Sequence, residues 1–211
     1  DYSVTENAST YDKHAWVYLP AGYDANDKET KYPVFILLHG FGQNENTWGL
    51  TNKGRGGKIK GFMDSGMASG DVEKFILVCA TGVASKNWGP NGKGQDFNGF
   101  NAFKGELRND LLPYIRKNFN VAEGRDNVAL AGLSMGGYGA VKIALRRPEI
   151  FSAAASLSGC LDIEAIVKKE PELSKIILGE DTDLSKSNEN TIYLVEKMNG
   201  APVKPKIYQA I

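Results

Sequence analysis

Residues 127–137 read Asn127-Val128-Ala129-Leu130-Ala131-Gly132-Leu133-Ser134-Met135-Gly136-Gly137. A short apolar run enters a tight glycine-flanked turn, and an alanine-bearing helical segment opens directly behind it. This is the nucleophile-elbow pattern, in which a serine sits on a sharp strand-to-helix turn. An ordinary serine hydroxyl is a weak nucleophile. The elbow fixes it where a base can reach it and sets the next backbone N–H, that of Met135, beside the developing oxyanion. Ser134 is therefore the candidate nucleophile. The plainer alternative is a serine that only caps a helix.

Working outward, apolar runs bounded by turn residues recur at 15–19, 34–38, 75–80, 127–133, 153–157 and 206–211. Their β-branched and aromatic content predicts strands. Helical spacing is expected over 58–67, 105–119, 134–147, 161–169 and 191–198, with Pro113 interrupting the second and Pro148 stopping the third. Strands alternating with helices predict an α/β architecture, a mostly parallel sheet with helices on both faces. Sites in such sheets form at the carboxyl ends of the strands, where Ser134 and the residues after Leu38 both fall.

His39-Gly40-Phe41-Gly42 closes the run Val34–Leu38. A loop at this point supplies the second oxyanion donor in hydrolases with this elbow, so the backbone N–H groups of Phe41 and Met135 are the candidate oxyanion hole. A simple strand-end turn is the alternative. The stretch 82–101, rich in Gly and Asn with Trp88, Phe97 and Phe100 between them, reads as a long irregular loop. Trp88 and Phe100 are candidate substrate-binding residues on that pocket wall; a loop pinned by its own aromatics is the other reading.

The chain has 211 residues, is 42% hydrophobic and carries zero formal net charge. It is expected to form one domain over residues 1–211 with ample core. The balanced charge excludes nucleic acid and anionic membranes as partners, and the cluster Lys53, Arg55, Lys58 and Lys60 reads as a solvated loop and helix start. Cys79 and Cys160 read as buried small hydrophobes, with no disulfide framework and no metal-ligand spacing. No cofactor or metal is implied, because the chemistry needs only side chains and backbone dipoles. No apolar run has the length of a membrane span. The polar start from Asp1 to Thr10 fits either a mature end or a boundary in a longer chain. The compartment stays open, with secretion favoured over the cytoplasm, and the oligomeric state is unreadable.

Several further stretches carry a family likeness. They are Val17-Tyr18-Leu19-Pro20, Leu37-Leu38-His39-Gly40, Asn46-Thr47-Trp48, Asp110-Leu111-Leu112-Pro113-Tyr114-Ile115, Gly132–Gly137 and Phe151–Gly159. Together they resemble the α/β-hydrolase esterases of the feruloyl esterase and esterase D group, carbohydrate esterase family 1 and its tributyrin esterase-like relatives. The resemblance implies a serine carboxylesterase acting through an acyl-enzyme at Ser134, with Phe41 and Met135 as oxyanion donors. The substrates it implies are feruloyl or related hydroxycinnamoyl esters of plant cell-wall polysaccharide, with short-chain acyl or acetyl esters second. Acyl transfer to another alcohol uses the same residues. A catalytically dead domain that binds carbohydrate or protein is the alternative from another class.

One departure bears on the chemistry. In this architecture the order is serine, acid, histidine. Both histidines, His14 and His39, precede Ser134. His14 is expected to be structural and His39 to brace its loop; Asp181 and Asp183 read as solvated turn residues. In the relatives, a strand like Pro205–Ala210 leads to the acid and then the histidine. The expectation is thus a fold that lacks its C-terminal strand and helix, about 50 residues by element length, with a last strand exposed at a sheet edge.

Overall fold

The computed structural model describes residues 1–6, 9–51, 58–83, 97–169 and 183–211. The chain opens with β1 (Tyr2–Glu6) and β2 (Ser9–Lys13), an antiparallel hairpin, followed by β3 (Trp16–Tyr18) and β4 (Val34–Leu38). Then come α1 (Ile59–Ser69), β5 (Ile76–Ala80), α2 (Phe97–Glu106), a π-helical turn at Leu107–Leu111 and α3 (Leu112–Asn118). The second half holds β6 (Val128–Leu133), α4 (Met135–Arg146), β7 (Ala153–Leu157), α5 (Ile163–Lys169), α6 (Thr191–Lys197) and β8 (Lys206–Ala210).

Six strands form one sheet in the order β3-β5-β4-β6-β7-β8, with β3 antiparallel to β5 and all other pairs parallel. Alternation of side chains divides the core. Val34, Ile36 and Leu38 of β4 and Ile76, Val78 and Ala80 of β5 pack on the face covered by Leu107, Leu111, Ile115, Ala140 and Val141. Leu37, Leu77, Cys79 and Ala131 pack on the other face against Met63 and Met67 of α1. The predicted helices on both faces are present. Register then aligns the strand ends: Leu38 lies opposite both Ala80 and Gly132, and Leu133 lies opposite Leu157. The loops beginning at His39, Thr81, Ser134 and Ser158 consequently leave the same edge of the sheet.

The structure corrects several expectations. The hairpin β1–β2 was not predicted; it buries Tyr2, Val4 and Lys13, packs Tyr11 partly against the core and turns Ser3, Thr5, Thr10 and Asp12 to solvent. Residues 97–101, expected to end an irregular loop, begin α2. The single helix expected over 105–119 is three pieces. Pro113 has no N–H to return, and the turn before it widens, so that the Leu112 N–H bonds to the Leu107 carbonyl. Cys160 is exposed rather than buried, its thiol donating to the Asp162 carbonyl at 3.4 Å. Cys79 is buried as expected, and burial pushes its thiol up to about 12.

Asp183 is an exposed turn residue that accepts from Ser185; Asp181, Lys53 and Arg55 lie outside the described residues. β3 and β8 are the two edge strands of the described sheet, and β8 exposes Ile207 and Tyr208. Among the described residues, no helix is long and apolar enough to cross a membrane.

Candidate active site

Ser134 stands between β6 and α4 with φ 53° and ψ −117°, a region that side-chain-bearing residues rarely occupy. Two hydrogen bonds hold it there. Its N–H donates to the Leu157 carbonyl at 2.8 Å, and its carbonyl accepts the Tyr138 N–H at 3.0 Å. The turn is possible only because its neighbours have no side chains. A Cβ on Gly132 would lie 2.2 Å from the Gly136 carbonyl carbon, and one on Gly136 would lie 2.4 Å from the His39 carbonyl oxygen. The pattern read from residues 132–137 is thus a steric requirement, and the Ser134 side chain is left exposed. Met135 opens α4, so its N–H belongs to the first turn, where donors have no intrahelical partner and the helix dipole is positive.

The loop after β4 lies against this turn: a Cβ built on Gly40 would come 3.6 Å from the Ser134 Cβ. His39 is buried and governs the loop. Its Nδ1 is 2.7 Å from the Gly40 carbonyl oxygen, and its Nε2 is 3.3 Å from the Gly82 nitrogen. Gly82 N–H can only donate, so Nε2 accepts and the proton sits on Nδ1, donating to Gly40. Burial lowers the imidazole below its ordinary value, in keeping with a neutral ring. The Gly40 carbonyl and the Phe41 N–H belong to one trans peptide and point in opposite directions. Holding that carbonyl, which also accepts Gln43 N–H at 3.2 Å, fixes the direction of the Phe41 N–H.

Sequence reading missed the polar groups beneath these loops. Glu45 is buried and accepts from the Thr81 hydroxyl, from Asn46 Nδ2 at 3.0 Å and from His14 Nε2 at 2.8 Å. His14 is therefore tied to Glu45. Lys13 is also buried. Its ammonium donates to the Thr81 and Val83 carbonyls at 3.3 and 2.9 Å and to both oxygens of Glu106 at 2.7 and 2.8 Å, while the Tyr2 hydroxyl adds a bond to Glu106 at 2.5 Å. Burial raises the Glu106 carboxyl, with the ammonium opposing it. No periodicity announces such pairs, since charged residues ordinarily read as solvated.

The geometry brings together Ser134, Met135 and the Gly40–Phe41 loop. Phe41 exposes its ring at the rim. Trp88 lies outside the described residues; Phe100 falls in α2, and its side chain is outside them too. Among the described residues, no group of three or more His, Cys, Asp or Glu could hold a metal ion.

Residues 7–200 match the esterase family described as Putative esterase. The chain is 38% identical over 168 residues to an endo-1,4-beta-xylanase/feruloyl esterase of Xylanibacter ruminicola, covering 77% of this chain and 22% of that protein. It is 30% identical over 135 residues to the Acetivibrio thermocellus endo-1,4-beta-xylanase Y, covering 57% and 10%. This chain therefore spans a quarter or less of either relative. Among solved structures, a CE1 ferulic acid esterase from Anaeromyces mucronatus in complex with ferulic acid superposes with TM-score 0.64 at 17% identity, covering 99% of this chain and 83% of that one. An S-formylglutathione hydrolase from Agrobacterium tumefaciens gives TM-score 0.65 at 21% identity, covering 98% and 72%. With a family match over most of its length and an elbow built as its glycines demand, this chain belongs to the esterase family and has the α/β-hydrolase fold.

Proposed function

We propose that the protein is a serine carboxylesterase that cleaves feruloyl and related hydroxycinnamoyl esters of plant cell-wall polysaccharide. The observation that carries this reading is the backbone of Ser134, held at φ 53° on the N-terminal end of α4 and against the Gly40 loop. The substrate class is taken from the feruloyl esterase of Xylanibacter ruminicola, and short-chain acyl esters are the second candidates.

In this mechanism Ser134 Oγ attacks the ester carbonyl while a base takes its proton. The Phe41 and Met135 N–H groups hold the oxyanion, each donor worth about 3–4 kcal/mol in the transition state. Collapse expels the sugar alcohol and leaves an acyl-enzyme, which water then opens to free acid and serine. Both ring nitrogens of His39 are engaged, Nδ1 by the Gly40 carbonyl and Nε2 by the Gly82 N–H, so that ring braces its loop and does not serve as the base.

The test is hydrolysis of methyl ferulate beside a short-chain aryl ester, with Ser134→Ala and with labelling by a fluorophosphonate. Labelling at Ser134 with turnover lost in the variant supports the esterase. Turnover unchanged in Ser134→Ala sinks it. Saturable binding of feruloylated oligosaccharide without labelling or turnover favours a binding domain instead.

A further inference from the structure

At the opposite end of α4 from Ser134, the surface falls into a cleft of about 500 Å³ between α2, the π-helical turn, the end of α4 and α6. Helix α4 separates it from Ser134 by roughly 18 Å at the usual rise per residue. The size is that of a small-molecule site. Lys104, Arg108, Arg146, Arg147 and Lys197 line the cleft, and no carboxylate lines it among the described residues. This is a dense local charge for a chain whose formal net charge is zero.

Internal pairing does not account for it. Arg146 reaches Glu189 at 3.0 Å, but Lys142 holds the same carboxylate at 2.5 Å. Arg147 pairs at 3.3 Å with the exposed Glu149. Among the described residues, Lys104, Arg108 and Lys197 form no salt bridge within 4 Å, and Glu189, already held by Lys142 and Arg146, reaches Lys104 only at longer range. Arg146, Arg147 and Lys197 stand at helix C-termini, where cations complement the dipole. Lys104 and Arg108 have no such reason, because α2 continues through the π-helical turn into α3. Like charges one helical turn apart repel. Burial, with Arg146 and Arg147 close by and Glu189 opposing them, holds the Lys104 ammonium below its usual value. The guanidinium forks suit phosphate or carboxylate oxygens, and buried Ile143 and Leu194 give the cleft an apolar floor.

We propose that this cleft binds a small polyanion carrying two or more phosphate or carboxylate groups. It is a site separate from Ser134 and independent of the esterase reading. The test is titration calorimetry of the whole chain with inorganic pyrophosphate and with citrate, in about 0.15 M salt so that diffuse attraction is screened. At least one probe should bind with Kd of about 1 mM or tighter. Lys104→Glu combined with Arg108→Glu should weaken it at least about tenfold, while Lys117→Glu, at an exposed position of α3 that does not line the cleft, leaves it within about twofold. Pyrophosphate or citrate preference names the anion chemistry. No binding of either probe up to about 10 mM overturns the proposal. So does equal weakening by Lys117→Glu, or binding of long-chain polyphosphate alone.

Discussion

The Gly82 N–H donates to His39 Nε2 at 3.3 Å, and the far side of the same ring holds the Gly40 carbonyl at 2.7 Å. One neutral imidazole thus joins the loops that follow two neighbouring parallel strands. Protonating Nε2 would set N–H against N–H and undo the Gly82 bond.

The first prediction follows from that bond. Burial holds the folded His39 value below the ordinary 6.5, so the unfolded chain binds this proton more readily. The stabilisation is fully present above about pH 6.5. It is lost as pH falls from there toward the lower folded value, by at most about 1.4 kcal/mol per pH unit. Urea unfolding at about pH 7.5 and 5.5 should show wild type losing more stability than His39→Gln. Equal losses would mean that His39 does not titrate as argued.

Lys13 and Glu106 form a buried pair that also clamps the Thr81 and Val83 carbonyls. Removing one partner leaves an uncompensated buried charge, so Lys13→Met should cost about 3–5 kcal/mol. Adding Glu106→Gln to Lys13→Met removes that charge and should recover a measurable part of the loss. Denaturant unfolding of the single and double variants checks this. A double variant less stable than Lys13→Met alone would contradict it.

The sheet and the elbow were legible because each depends on a local pattern: apolar runs for β4, β5, β6 and β7, and glycines where a Cβ would meet backbone. The role of His39 was legible from its place beside Gly40. The hairpin β1–β2 was not, because the alternation of Tyr2 and Val4 is short and the buried position opposite Tyr2 is Lys13, a residue that ordinarily reads as solvated. The start of α2 was hidden by Asn98, Gly99 and Asn101, which are poor helix formers in isolation. Lys13, Glu45 and Glu106 were illegible for a different reason. Their burial is decided by partners distant in sequence, such as Thr81 for both Lys13 and Glu45.

The glycines divide into two sorts, and substitution should separate them. Gly132→Ala would place a methyl 2.2–2.8 Å from the backbone of Gly136 and Gly137, which cannot yield without opening the turn. A loss of at least about 3 kcal/mol, or failure to fold, is expected. Gly61, in the first turn of α1, would meet nothing within 4 Å. Gly61→Ala should therefore stabilise by about 0.5–1 kcal/mol through helix propensity. Thermal unfolding of the two variants is the check, and a tolerated Gly132→Ala would refute the packing argument.

Ser134 is held at φ 53° and ψ −117°, where its Cβ is disfavoured. Such a backbone costs of order 1–3 kcal/mol and persists because the Leu157 and Tyr138 hydrogen bonds over-determine it. Ser134→Gly removes the Cβ and should release part of that strain. Ser134→Ala keeps the Cβ and should not. Both remove the hydroxyl, so the comparison isolates the backbone: the glycine variant should be more stable than the alanine variant by about 1–2 kcal/mol. Parallel urea unfolding curves measure the difference. An alanine variant as stable as the glycine variant would mean that the turn stores no strain at Ser134, and that the elbow positions its serine through hydrogen bonds alone.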